Sequence, residues 1–165
     1  MTVDFRIGNA EIEIWEDTYE LTVARLVLNE APEFLNDSLT GKQNFRSMAN
    51  RAYSEFIAEH NLKDFDDMFS DDSSRIHVIT QDMLDCIVNA RELHELTIGE
   101  KVPGWALANG FIVLPDGSYR FYTEEEVDIA TKESNTDADL ARLMWFEWWL
   151  KWALDNCERP AIYCY

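Results

Sequence analysis

From Leu140 to Leu154 the chain reads Leu140, Leu143, Met144, Trp145, Phe146, Trp148, Trp149, Leu150, Trp152, Ala153 and Leu154, with few polar residues between them. At 3.6 residues per turn this run predicts a helix over 137–156 with apolar side chains on nearly every side, and such a helix must be covered on nearly every side. Glu147 and Lys151, one turn apart, mark its single wet strip. The rest of the chain therefore has to wrap this element. Trp145, Trp148, Trp149 and Trp152 are expected to fill a core; the competing use is an interface, because indoles dominate the binding energy of many protein contacts.

The covering elements show in the pattern. Val3–Ile7 and Glu11–Trp15 flank Gly8-Asn9-Ala10, and Ile12 and Ile14 alternate with Glu11 and Glu13, which predicts an amphipathic hairpin. Asp17 with Glu20 three residues on predicts a capped helix carrying Leu21, Ala24, Val27 and Leu28, ending before Pro32. From Lys42 to Glu59, Phe45, Met48, Ala49, Ala52, Phe56 and Ile57 fall at helical spacing and leave Arg46 outward. Arg75–Ile79 reads as a short strand, and Thr80 can cap a helix with Met83, Leu84, Ile87, Val88 and Arg91 down one side.

Farther on, 111–114 and 118–122 surround Pro115-Asp116-Gly117, where Pro sets φ and Gly accepts a positive φ, a hairpin signal. Thr123-Glu124-Glu125-Glu126 and Thr136-Asp137-Ala138-Asp139 each set a hydroxyl three residues before an acid, the spacing of a helix cap. Residues 161–165 can close as a strand. The expected fold is α+β, a single domain over 1–165 in which antiparallel hairpins pack with three to four helices around the buried tryptophan helix.

Against this apolar interior stands an acidic exterior: 32 carboxylates against 14 lysines and arginines, a formal charge of -18. The surplus is clustered. Residues 1–40 carry a net -7, 64–74 a net -5 from Asp64, Asp66, Asp67, Asp71 and Asp72, and 110–140 a net -6, while 41–63 are net positive and 141–165 neutral. Such a field repels nucleic acid and acidic membranes and attracts surfaces that normally hold a phosphate backbone. Direct nucleic-acid binding is disfavoured, since Lys42, Arg46 and Arg51 are the only local basic cluster.

Catalytic and metal patterns are weak. His60, His77 and His94 form no zinc spacing and read as surface or helix-end residues. Asp64 to Asp72 could offer oxygens to a hard cation, but the EF-hand pattern fails at Phe69, where glycine belongs, so no metal or cofactor is expected. There is no Gly-x-Ser-x-Gly elbow or phosphate loop, and Cys86 falls beside an apolar stripe. Cys86, Cys157 and Cys164 are an odd set without Cys-x-x-Cys spacing, as suits reduced thiols. With no basic-then-apolar leader and no uncharged run of about 18 apolar residues, a cytosolic protein is expected, in the host cytosol if phage-encoded.

In size, charge and lack of catalytic motifs the chain resembles the small acidic inhibitors that phages and mobile elements direct against restriction or CRISPR nucleases. That resemblance implies a non-enzymatic DNA mimic whose partner is a basic nucleic-acid-binding protein or nuclease complex. The residues expected to form its surface are Asp64, Asp66, Asp67, Asp71, Asp72, Glu124, Glu125, Asp128, Glu11 and Glu13. Two other readings stay open: an assembly module that dimerises or docks through Trp145, Trp148, Trp149 and Trp152, its acidity serving solubility, and a metal-dependent hydrolase built on the Asp-rich loop.

Overall fold

Strand β1 (Thr2–Glu13) is the spine of the molecule in this computed structural model, which describes residues 2–13, 18–23, 45–66, 76–109, 111–133 and 135–164. On one side it pairs antiparallel first with β3 (Phe45–Ala49) and then with β2 (Thr18–Val23). On the other side lies β9 (Pro160–Cys164), which in turn takes β4 (Ile76–Val78). Along β1, Val3, Phe5 and Ile7 alternate into the core, as the two-residue period of a half-covered sheet requires. Helices α1 (Asn50–Glu59), α3 (Gln81–Ile98) and α6 (Ala138–Asn156) supply the opposing layer, with short α2 (Lys63–Asp66) and α4 (Trp105–Asn109) between. The hairpin β6 (Phe111–Val113) with β7 (Tyr119–Phe121) precedes helix α5 (Glu124–Glu133), and a two-stranded parallel pair, β5 (Val102–Pro103) with β8 (Thr136–Asp137), brackets both in sequence. The fold is α+β.

Helix α6 is wrapped as its sequence demands: Leu143, Trp145, Phe146, Trp149, Leu150 and Ala153 are buried. Phe146 sits at the hub, its ring 5.3 Å from Phe5, 6.1 Å from Phe56, 5.5 Å from Phe65 and 5.1 Å from Trp145, mostly edge to face. Four elements thus meet on one ring. That arrangement suits the aromatic quadrupole and ties the sheet to α1, α2 and α6 in a single cluster.

Three expected elements come out differently. Gly8-Asn9-Ala10 is not a turn but mid-strand: Gly8 pairs with Val23 on one side and Ala161 on the other. The Asn9 Oδ1 accepts from the Arg159 backbone N–H at 2.7 Å, so a residue read as a turn former instead fastens β1 to β9. Thr18–Val23 is strand and not the start of a capped helix; Thr, Tyr and Val suit a pleated surface, and pairing with β1 outweighs the Asp17–Glu20 spacing. Residues 24–28, also assigned to that helix, lie outside the described residues.

The helix expected from Lys42 begins only at Asn50, and Phe45–Ala49 is strand, so Arg46 lies on β3 opposite Phe5. Met48 is buried either way, which is why apolar spacing alone did not separate the two states. The Pro115-Asp116-Gly117 hairpin stands as expected, with Gly117 at φ +84°. Thr80 caps α3, its Oγ1 accepting from the Met83 N–H at 3.2 Å. No helix among the described residues is long and apolar enough to cross a membrane.

Candidate functional site

Two populations of carboxylate emerge, separated by what they touch. The first is held by cations. Arg91 on α3 bonds Glu147 on α6 through Nε, reaches its second oxygen from Nη2 at 3.2 Å, and gives Nη1 to Glu95 at 2.8 Å. Arg120 spans both oxygens of Glu126 at 2.7 and 2.8 Å, and Glu126 also accepts from the Thr123 N–H, while the Thr123 hydroxyl accepts from the Glu126 N–H. This capping box with its bidentate arginine lowers the Glu126 carboxyl to about 2, the Arg120 hydrogen bond being the main cause. Arg51 is closed by Glu55 at 2.7 Å and Arg142 by Asp139.

The second population is exposed and forms no ion pair among the described residues: Asp64 on α2, Asp82 and Asp85 on α3, Glu125 and Asp128 on α5. Glu124, also exposed on α5, adds its field to that of Glu55 on Arg51. Asp64 acts on the Cys86 thiol, which burial chiefly pushes up, and Asp82 lies one turn before Cys86 on the same side of α3. Asp64 follows the C-terminal end of α1 in sequence, and the field of Glu124 reaches Arg51 in the first turn of α1, a helix of ten residues or about 15 Å.

Of the other residues expected on the acidic surface, Asp66 closes α2, and Glu11 and Glu13 lie on β1 in register with Glu20 and Thr18. Asp67, Asp71 and Asp72 fall outside the described residues. The four indoles divide. Trp145 and Trp149 are fully buried, whereas Trp148 and Trp152 are half-buried and stack edge to face on Trp149 at 4.8 and 5.4 Å. Trp148 lines a groove of about 320 Å³ with Arg91, Glu95, Met144, Glu147 and Lys151.

A third arrangement is absent from the sequence reading. His60 and His94, 34 positions apart, meet edge to face at 4.8 Å at the start of α6, and neither is a surface residue. His60 shares a 2.9 Å hydrogen bond between Nε2 and Asp139 Oδ2; His94 shares one of 2.7 Å between Nε2 and Asp137 Oδ1. Burial pushes the Asp139 carboxyl up, but the His60 hydrogen bond and the charge and hydrogen bond of Arg142 outweigh it, so the group lies below the ordinary carboxylate range. An ionised carboxylate only accepts, which places the proton on His60 Nε2.

Local sequence explains each position. Asn61 takes φ +53°, Leu62 N–H bonds Ile57 O at 3.0 Å and Asn61 N–H bonds Ala58 O at 3.3 Å, the paired bonds of a Schellman stop that fixes His60 as the C-cap residue directly after α1. The cap of α6 is Asp137 and not Thr136 as expected: its Oδ1 accepts from the Leu140 N–H at 2.7 Å while Thr136 stays in β8. Gly104 N–H bonds Asp137 O at 2.7 Å, and a Cβ at Gly104 would press to 3.2 Å on that carbonyl. The Asn after His60 and the Asp-x-Asp before the tryptophan helix signal two helix ends. Nothing local signals that they touch.

Comparisons of this chain with protein-family models, with curated proteins and with solved structures found no match.

Proposed function

We propose that this chain is a non-enzymatic acidic inhibitor that presents fixed carboxylates as a DNA mimic and occupies the positively charged groove of a nucleic-acid-binding protein or nuclease, in the cytosol where such partners work. One observation carries the reading: Arg51, Arg91, Arg120 and Arg142 are each paired with carboxylates of the same chain, Arg51 and Arg120 at the surface and Arg91 and Arg142 largely covered, whereas Asp64, Asp82, Asp85, Glu125 and Asp128 face solvent with no ion pair among the described residues. A surface tuned only for solubility gains from interspersed signs, whereas here four arginines are already engaged by carboxylates of the chain and leave these acids unpaired among the described residues. Carboxylates fixed on α2, α3 and α5 would offer anionic groups to basic subsites that a phosphate backbone normally fills.

A second reading has its own support. Leu93 and Leu96 are 67% and 82% exposed on α3, close in sequence to Arg91 and Glu95 of the Trp148 groove, as an apolar docking or dimer face would be. Capture of partners from the native cell at low salt separates the two. Release by rising salt and by competing duplex DNA is the expected outcome for the mimic; retention against both favours apolar docking and counts against mimicry.

A further inference from the structure

We propose that Glu59, His60 and Asp139 form a binding site for a divalent transition-metal ion of the Zn²⁺ class, a site independent of the carboxylate surface and of any partner. The imidazole nitrogen of His60 and one carboxylate oxygen each from Glu59 and Asp139 lie within 4.8 Å of one another. In a triangle of that size some point is no more than about 2.8 Å from every donor, and metal–ligand distances of about 2.0–2.2 Å then require only a small inward movement. Glu59 can supply it, because its side chain is exposed, while the other two donors stay in place.

Rigidity distinguishes this triad from a chance meeting of polar groups. The His60 side chain is only 4% exposed, fixed by the Schellman stop and held edge to face between Phe56 at 5.0 Å and His94 at 4.8 Å. Arg142 occupies Asp139 Oδ1, which aims Oδ2 at His60 and acts as the outer partner that orients a ligating carboxylate. His94, fastened to Asp137, sets the plane of the His60 ring in the same way. The C-terminal end of α1 adds the negative end of its dipole at His60.

Donor chemistry selects the ion. One nitrogen and two oxygens in a partly buried corner suit Zn²⁺ or its neighbours, whereas Ca²⁺ and Mg²⁺ want oxygens alone, and a fourth position toward Glu59 remains open to water. On binding, the metal takes the Nε2 lone pair: the Nε2–H bond breaks and an Nδ1–H bond forms by exchange through solvent, or a doubly protonated ring gives its Nε2 proton to solvent; no bond between heavy atoms of the chain is made or broken. The ion would then clamp the end of α1 to the start of α6.

Titration of the intact protein with Zn²⁺, followed by calorimetry and by the melting temperature, tests this. Expected are one equivalent of Zn²⁺ bound, a Tm raised by about 5–10 °C at a hundredfold excess over Kd, and no such effect from Mg²⁺ or Ca²⁺. Glu59→Gln, an exposed change that leaves the fold alone, should weaken Zn²⁺ by about tenfold or more, and His60→Gln should abolish binding. If His60→Gln does not fold, Glu59→Gln decides. With Co²⁺ as probe, the spectrum should lack the charge-transfer band of a thiolate. Absence of binding at about 1 mM Zn²⁺, unchanged affinity in Glu59→Gln, or a thiolate band pointing to Cys86 or Cys157 would each overturn the proposal.

Discussion

Two helices of this protein start with almost the same words and end up in different chemistry. Thr123-Glu124-Glu125-Glu126 opens α5, and Thr136-Asp137-Ala138-Asp139 opens α6. At α5 the local rule operates unopposed: Thr123 and Glu126 cap each other, Arg120 neutralises Glu126, and Glu124, Glu125 and Asp128 point to water. At α6 Thr136 is drawn into a strand, the cap passes to Asp137, and both aspartates serve histidines arriving from α3 and α1. A short-range pattern decides the outcome where nothing else competes for the side chain. Where two other helices converge on the same turn, tertiary contacts reassign it.

The largest effect is expected from what anchors α6. Trp149→Ala should cost about 3–5 kcal/mol in a denaturant titration, because the ring is fully buried, while Trp148→Ala, half-buried, should cost clearly less. Equal losses would mean that α6 is not the packed element described. Next comes the contrast between the caps. Asp137→Ala removes a cap and the partner of His94 and should cost about 2–4 kcal/mol, against about 0.5–1 kcal/mol for Thr123→Ala on exposed α5. A reversal of that order would break the comparison.

Acid titration sharpens the α5 side. Glu126 is lowered to about 2, so its contribution is fully present above the ordinary carboxylate range near 4.3 and is lost as pH falls from there through about 2. NMR titration of the Glu126 carboxyl should show that midpoint, and Arg120→Gln should move it back toward the ordinary value. The stability gap between wild type and Arg120→Gln should then close in strong acid; a gap that persists would contradict the pairing.

The sequence was legible where the determinants are local or dense. Thr80, the Pro115-Asp116-Gly117 turn, the Thr123 box and the span of the tryptophan helix all follow from neighbours within one turn. It was illegible where a distant strand supplied the reason. Gly8-Asn9 looks like a turn until β2 and β9 close on both sides of it, and Phe45–Ala49 looks helical until β1 offers a partner. The candidate site shows the same division. Exposure of Glu124, Glu125 and Asp128 follows from helix phase, but the meeting of His60 with Asp139 joins positions 79 apart, and no periodicity encodes that.

The smallest expected change in stability carries the most weight for function. Glu124→Gln, Glu125→Gln and Asp128→Asn together should leave folding within about 0.5 kcal/mol, since these side chains are exposed and Glu126 keeps the cap. The decisive measurement is the affinity of this triple variant for the partner captured from the native cell, taken across a salt series beside the wild type. If the uncommitted carboxylates are the working groups, the variant binds about tenfold or more weakly at low salt and its salt dependence flattens. Wild-type affinity with an undiminished salt slope would contradict the decoy reading.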